Sequence, residues 1–304
     1  MPRESPKAFK ISLQSDMSFA AENSYTRITL GLDIIGKIAQ GPFAGFHELS
    51  IVKHQIDLHD AVTVEDSAAP GIRCSHPLVP LDGSNICWKA LDAIKRRYGV
   101  DKNAIITIEK NIPVFGGLAG GSANGASTLR LLNKLWDLGL TTAQLMDLGR
   151  SIGMDVPYYF KGNTAFDTEA TGILEELPTS LCLDFVLVVP DFGVSTKEAY
   201  KNIDYHRIAK NVDKTKVMQK AFLENQRKDV VCNVHNDFEL SVFKSNPRLQ
   251  SIKEKLLDLG CKAAVMSGSG STMIGILGAE SEKETIQKQI GYTTLFVSSK
   301  GKVL

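Results

Sequence analysis

Several absences narrow what this chain can be. Its five cysteines, Cys74, Cys87, Cys182, Cys232 and Cys261, are odd in number, widely spaced and without a Cys-x-x-Cys. That excludes a zinc ribbon and a disulfide framework, and points to reduced thiols in a cytoplasmic protein. The six histidines show no metal-ligand spacing. Charge of one sign is not in excess: 35 Lys and Arg against 34 Asp and Glu leave a formal net charge of +1, well mixed. A nucleic-acid binder relying on bulk positive charge is therefore not expected. No apolar run reaches the length of a membrane span. The stretch from Met1 to Glu22 lacks the apolar centre of a secretory signal and reads as an extra strand or a loose tail.

What is present is enough for two domains of ordinary size, with 43% apolar residues to build a sizeable core. Tyr25 to Ile34 alternates, Ile28, Leu30, Leu32 and Ile34 on one face and Arg27, Thr29, Gly31 and Asp33 on the other, which predicts a half-buried strand. Gly36 to Gly45 reads as a loop, and His47 to Val52 and Asp60 to Glu65 as two further strands. Asn85 to Tyr98 has helical spacing with Gly99 just past its end. A strand over Ala104 to Lys110 leads into a helix ending near Leu138, and Thr141 with Gln144 makes a capping-box pattern for the next helix, which stops at Gly153. In the second half, strands are expected at Asp184 to Pro190, Ala263 to Met266, Met273 to Leu277 and Thr293 to Ser298. Helices are expected at Lys197 to Asn202, Lys214 to Asn225, Asn246 to Leu259 (an Asn cap followed by Pro247) and Ser281 to Ile290. The mixture predicts an α/β (α+β) protein of two closely packed domains, 1–165 and 166–304.

The richest stretch is Pro113-Val114-Phe115-Gly116-Gly117-Leu118-Ala119-Gly120-Gly121-Ser122-Ala123-Asn124-Gly125-Ala126-Ser127, between that strand and its helix. Glycines let backbone amides approach an anion closely, and a helix start adds unpaired N–H groups and the positive end of its dipole. The run suits a di- or triphosphate. It is not a Walker A loop, since no Gly-Lys-Ser/Thr closes it, nor the GxGxxG of a dinucleotide fold.

Two further segments, Gly153-Met154-Asp155-Val156-Pro157 and Met266-Ser267-Gly268-Ser269-Gly270-Ser271-Thr272, follow in order. With the first run, their wording and spacing resemble the GHMP kinases over nearly the whole chain from Tyr25 onward. Within that superfamily the phrases Gly45-Phe46-His47-Glu48-Leu49, Gly162-Asn163-Thr164-Ala165-Phe166, Val194 to Tyr200 and Asn236-Asp237-Phe238-Glu239 are most similar to the family of 4-diphosphocytidyl-2-C-methyl-D-erythritol kinases. The resemblance implies a two-domain GHMP kinase fold, an N-terminal ATP-binding domain followed by an antiparallel sheet with helices. It implies transfer of the ATP γ-phosphoryl group to a hydroxyl of a cytidine-diphosphate-linked polyol, in isoprenoid precursor synthesis, with ATP and Mg2+ and a site in the cleft between the domains.

By the same resemblance, Gly116, Gly117, Leu118, Ala119, Gly120, Gly121, Ser122, Ala123 and Asn124 wrap the ATP phosphates, with Ser122 near the magnesium. Gly268, Ser269 and Gly270 close over the phosphates, and Asn85 and Lys110 lie on the adenine side. Asp155 matches the catalytic aspartate. His47 matches a histidine that reads a cytosine edge, Phe46 and Tyr200 match flanking rings, and Thr196 approaches the substrate. An imidazole can donate or accept on the edge of a base, and stacked rings favour a flat one. The chain departs from the family at Arg27-Ile28-Thr29, where the family has Lys-x-Asn, and at Phe43-Ala44-Gly45, where an Asp usually precedes the Gly. Arg27 and Thr29 share a strand face and are expected at the catalytic centre; arginine stays charged at any working pH and can grip a carboxylate or phosphate through two nitrogens. These departures leave open a different small alcohol or sugar acceptor, or a nucleotide-binding homologue with impaired catalysis. Monomer and homodimer are both open.

Overall fold

The computed structural model describes residues 18–278 and 283–300, so that most of the Met1 to Glu22 stretch and the expected helix start at Ser281 lie outside the described residues. The strands are β1 (Phe19–Lys37), β2 (His47–Ser67), β3 (Gly71–Cys74), β4 (Asn103–Glu109), β5 (Thr164–Asp167), β6 (Leu174–Glu176), β7 (Asp184–Val189), β8 (His235–Asn236), β9 (Ala263–Met266), β10 (Met273–Ile276) and β11 (Thr293–Ser298). The helices are α1 (Ile86–Tyr98), α2 (Gly120–Leu135), α3 (Thr142–Ile152), α4 (Tyr158–Lys161), α5 (Thr196–Lys201), α6 (Val212–Leu223), α7 (Arg227–Cys232), α8 (Glu239–Ser245), α9 (Pro247–Asp258) and α10 (Lys283–Ile290).

Two sheets organise these elements among the described residues. One has the order β3-β4-β2-β1-β8, with β5 on β2 and β6 on β5; the other is the antiparallel set β11-β7-β10-β9. The chain returns from the second half to add β8 in parallel beside Gly31 and Leu32 of β1, which ties the halves together. Helix α2 packs on β1 and β2, and α1 and α3 pack on α2 and on each other; their stripes (Leu91 and Ile94, Leu129 and Leu132, Leu145 and Leu148) share one buried cluster with Val62, Val64, Ile106 and Ile108 of the first sheet. Leu32 and Ile34 of β1 join a second cluster with Leu249, Ile252, Val186 and Val188.

Local signals account for the helix ends. The Asn85 side chain accepts from the Cys87 amide, Gly99 closes α1 in the left-handed region at φ 65°, and Thr141 with Gln144 forms the expected capping box. Pro247 opens α9, but Asn246 does not cap it; its amide donates to the Val242 carbonyl of α8 instead.

The sheet departs from the sequence reading at two places. His47 to Val52 and Asp60 to Glu65 are one strand, because the interval between them stays paired to β1 at Lys53, His54, Gln55 and His59 across a register shift. Also, the polar face of β1 is not open to water: Arg27, Thr29 and Asp33 are all buried, Arg27 against Gly117 and Asp155, Thr29 beside Ser267, and Asp33 against Thr215 and His235. Register shifts between Tyr25 and Arg27 and between Thr29 and Gly31 bracket the Arg27–Thr29 segment. Such irregularities bend a strand and re-aim its side chains.

Candidate active site

The glycine-rich run leaves β4 and enters α2 with every carbonyl of its tip held from behind. Gly117 O accepts from Arg27 Nη1 at 3.2 Å and from the Ser267 hydroxyl at 3.2 Å. Leu118 O accepts from the Thr26 hydroxyl, and Ala119 O from the Tyr159 hydroxyl at 3.2 Å. Across a trans peptide the following N–H points the opposite way, so the amides of residues 118–120 turn toward the cavity in front. No side chain caps α2, and its first turn carries no acidic residue. Its leading amides remain available to an anion.

Glycine is required here by contact as well as by conformation. At Gly117, with φ at +73°, a Cβ would lie 2.3 Å from Ser267 O and 2.8 Å from Gly270 O, and at Gly116 it would lie 2.6 Å from the Thr272 hydroxyl. The second glycine loop therefore interlocks with the first. Asn236 on β8 fixes that second loop by donating to Met266 O and Gly268 O, both at 2.7 Å.

Asp60 braces the entry to the cradle. Fully buried, its carboxylate accepts from the amides of Asn111 at 2.7 Å and Ile112 at 2.8 Å, from Asn124 Nδ2 at 2.9 Å and from the Lys110 ammonium at 2.9 Å. Lys110 and Asn124 are thus turned inward onto Asp60. The Asn85 amide is likewise committed, to Pro80 O at 2.7 Å.

A cavity of about 490 Å³ opens in front of the run. Its walls include Asn85, Lys110, Gly116 to Ser122, Asn124, Asp155 and Thr196. Ser269 and Gly270 line instead the neighbouring cavity of about 670 Å³, which shares Gly116, Gly117 and Thr196 with the first. Thr196, at the start of α5, reaches the second loop through a 3.0 Å hydrogen bond to the Ser269 hydroxyl.

Asp155 sits in the turn between α3 and α4, with 21% of its side chain exposed and one edge on the cavity. Each carboxylate oxygen meets a different cation: Oδ2 takes Arg27 Nη2 at 2.7 Å, and Oδ1 takes Lys53 Nζ at 2.6 Å. Burial alone raises the carboxyl's pKa, but Arg27 and then Lys53 outweigh it and hold Asp155 well below the usual carboxylate range. Arg27 also binds Thr29 Oγ1 at 3.0 Å, so the pair singled out on β1 acts together. Lys53 escaped the sequence reading. The signal was a lysine in phase with Leu49 and Ile51 in an apolar strand; the structure sets it opposite Thr29 and buries it completely.

His47 and Tyr200 are brought together, ring centroids 4.6 Å apart. The second partner of His47 is Tyr205, whose hydroxyl lies 2.8 Å from Nε2 and whose ring stacks at 6.1 Å. Phe46 is exposed and packs edge-on against Phe43 at 5.9 Å. Burial first, and Lys37 next, lower the His47 pKa, favouring the neutral ring. Tyr200 is raised by burial and then by the negative charges of Glu169 and Asp155, which links the aromatic group electrostatically to the carboxylate centre.

Backbone amides turned toward a cavity, and a carboxylate on its wall kept ionised by two cations, define a phosphoryl-transfer enzyme. Comparison with known proteins agrees. The GHMP kinases N terminal domain matches residues 85–163 and the GHMP kinases C terminal model residues 218–293. The chain is 37% identical to a 4-diphosphocytidyl-2-C-methyl-D-erythritol kinase of Acetivibrio thermocellus, over 86% of this chain and 90% of that one. It is 38% identical to one of Bacillus cereus, over 86% and 89%. A crystal structure of 4-(cytidine 5'-diphospho)-2C-methyl-D-erythritol kinase shares the fold with a TM-score of 0.74 at 22% identity, covering 93% of this chain and 100% of that one. The chain belongs to the GHMP kinases, in the family of 4-diphosphocytidyl-2-C-methyl-D-erythritol kinases, and has their two-domain fold. It is a phosphotransferase acting on an alcohol group.

Proposed function

We propose that the chain transfers the γ-phosphoryl group of ATP to a hydroxyl of a cytidine-diphosphate-linked polyol, as the names of its relatives indicate for those proteins. The observation that carries this reading is that Asp155 and the amide cradle of Gly116 to Ser122 wall the same cavity. The cradle holds the nucleotide's phosphates, with Asn85 on the base side, and Gly268 to Gly270 close the second loop over it. The acceptor hydroxyl lies against Asp155. As its oxygen bonds to the γ-phosphorus, the bond to the β-phosphate oxygen breaks and ADP leaves. The hydroxyl proton passes to Asp155 or to water, late in a loose transition state. Because both oxygens of Asp155 are bound to cations, its main contribution is to orient the hydroxyl; Arg27 supplies fixed positive charge beside the cradle.

Magnesium fits this donor set. It needs only one or two protein oxygens when substrate phosphates fill the other positions. The half-buried Ser122 hydroxyl on the first turn of α2 supplies one. When bound, the ion neutralises phosphate charge. At the acceptor end, His47 reads the cytosine edge, Tyr200 supplies a ring, Phe46 covers the outer side and Thr196 contacts the diphosphate or polyol. We assign the chain to the cytoplasm, as a monomer or homodimer without nucleic-acid or membrane partners. Among the described residues no helix is long and apolar enough to cross a membrane. For the domain division, the hydrogen-bonded β5 and β6 carry the first sheet to Glu176. We therefore place the change of layer between Glu176 and Asp184, later than residue 165.

A coupled ADP-release assay with the cytidine substrate and Mg2+ tests the reading. Turnover that requires the acceptor supports it. Folded protein that binds ATP but releases no ADP above background with this acceptor rejects the substrate, and a panel of small alcohols and sugars then identifies another.

A further inference from the structure

We propose that Lys53 is a positioning residue for phosphoryl transfer: it fixes Asp155 through Oδ1 at the cavity wall while Asp167 and Glu169 anchor its ammonium from behind. The inference rests on the transfer reading above and names a residue that neither the sequence motifs nor that reading includes.

An ammonium has three protons, and here three carboxylates take them: Asp155 Oδ1 at 2.6 Å, Asp167 Oδ2 at 2.8 Å and Glu169 Oε1 at 2.9 Å. Lys53 has no donor left for a substrate and does not line the cavity, so it acts through Asp155. Its carbon chain is fixed on β2 opposite Thr29, while Asp167 ends β5, the strand paired to β2. Asp167 also accepts from the Glu169 amide at 2.7 Å, which locks the turn carrying the third carboxylate. From Asp167 and Glu169 the contacts run through Lys53 to Asp155, then through Arg27 to Gly117 O in the cradle. One carboxylate is pinned at both oxygens by cations from adjacent strands, and one of those cations also holds the anion loop. The distance from Asp155 to the phosphates is set by this path.

A purely stabilising role explains the arrangement less well. Buried ion networks are often no better for stability than apolar side chains of the same volume. This network meets the cavity through Asp155 alone among Lys53, Asp167, Glu169 and itself. Arg27 on β1 and Lys53 on β2 set the charge on Asp155; Asp167 at the end of β5, Glu169 just after it and Tyr159 on α4 are the other titratable groups of the cluster, and Tyr158 packs its ring 5.8 Å from the Lys53 ammonium. Removing the Lys53 charge raises the proton affinity of Asp155 and frees its carboxylate to rotate.

The test compares the native chain with Lys53→Met combined with Asp167→Asn and Glu169→Gln, which removes the whole anchor without stranding a charge. In the folded triple variant, kcat is expected to fall at least about 30-fold while the KM for ATP stays within about threefold. The acid limb of its kcat–pH profile should move up toward the ordinary carboxylate range. Lys53→Arg, which keeps the charge, should retain more kcat than the triple variant and leave the acid limb low. A folded triple variant with native kcat and an unmoved acid limb overturns the proposal. ¹³C NMR of the Asp155 carboxyl in the native chain is a second measurement that needs no variant to fold: titration in the ordinary carboxylate range also overturns it. If the native chain transfers to no acceptor, the transfer reading falls first, and the same NMR titration compared between the native chain and the folded triple variant judges whether Lys53 governs Asp155: an unmoved Asp155 titration overturns the proposal.

Discussion

Arg27 binds Oδ2 of Asp155 with one terminal nitrogen at 2.7 Å, and with the other it reaches both Gly117 O and Thr29 Oγ1. The guanidinium is therefore a spacer between the anion loop and the carboxylate, with a planar fork that a single ammonium cannot reproduce. Arg27 is not the sole cation on this carboxylate: Lys53 holds the other oxygen.

Arg27→Lys with Thr29→Asn is accordingly expected to lower turnover by about tenfold or more, a loss of roughly 1.4 kcal/mol in transition-state stabilisation. Steady-state ADP release measures it. A large gain in turnover would instead mean that Arg27 impairs an ancestral site, and the orienting role argued for it would be wrong.

How much of this was legible beforehand depended on whether a signal was local. Asn85, Gly99, Thr141 and Gln144 announce helix ends because capping involves residues within one turn. The cradle, Asp155 and the second glycine loop were readable as motifs, and Arg27 and Thr29 as a departure on a shared strand face. Lys53, Asp60 and Tyr205 were not. Lys53 matters because β2 pairs with β1 and β5, and Asp60 because β2 passes beneath the cradle. Tyr205 matters because the segment after α5 folds back over His47. Each is a contact across dozens of residues that no short spacing encodes. The joining of two expected strands into β2 has the same origin: cross-strand hydrogen bonds override the polar interval between the apolar runs.

The interlock of the two glycine loops gives a sharp contrast between neighbouring positions. Gly117→Ala puts a Cβ at φ +73° and 2.3 Å from Ser267 O, so it should destabilise the chain by about 2 kcal/mol or more and weaken ATP binding at least about tenfold. Gly121→Ala meets nothing nearer than Ile86 Cδ1 at 3.8 Å on the first turn of α2, and should leave stability unchanged or raise it by up to about 1 kcal/mol. Urea unfolding and nucleotide titration on both variants check this; equal effects at the two positions would remove the interlock from the account.

Tyr205 occupies Nε2 of His47, so if His47 reads the cytosine edge through that nitrogen, as proposed, the tyrosine competes with it. Tyr205→Phe removes the hydroxyl but keeps the ring, so the KM for a cytidine-linked acceptor should fall by a few-fold, the range set by one hydrogen bond of about 0.5–1.5 kcal/mol. His47→Phe should raise the same KM about tenfold, and neither change should move the KM for ATP. If both variants leave the acceptor KM unchanged, His47 does not contact the base.

His54, beside Lys53 on β2 but lining neither of the two site cavities, offers a test of the core. Its ring is buried between Phe185 and Phe222, with Nδ1 2.8 Å from the Thr164 hydroxyl and Nε2 2.8 Å from the Ser299 hydroxyl. Burial pushes its pKa down from the ordinary 6.5 to about 4. Below pH 6.5 the unfolded chain takes up a proton at this residue, whereas the native chain does not until about pH 4. The stability linked to His54 is therefore complete above pH 6.5, declines as pH falls toward 4, and changes no further below that. The full interval corresponds to about 3 kcal/mol. Glu169, raised by burial, acts in the opposite sense, gaining stability as pH falls, so the native curve alone is not diagnostic. The difference between the native chain and His54→Gln is. Urea unfolding between pH 7.5 and 4.5 should show the native chain losing about 2–3 kcal/mol more than the variant. Parallel curves for the two proteins would mean that His54 is already protonated in the folded state or open to water.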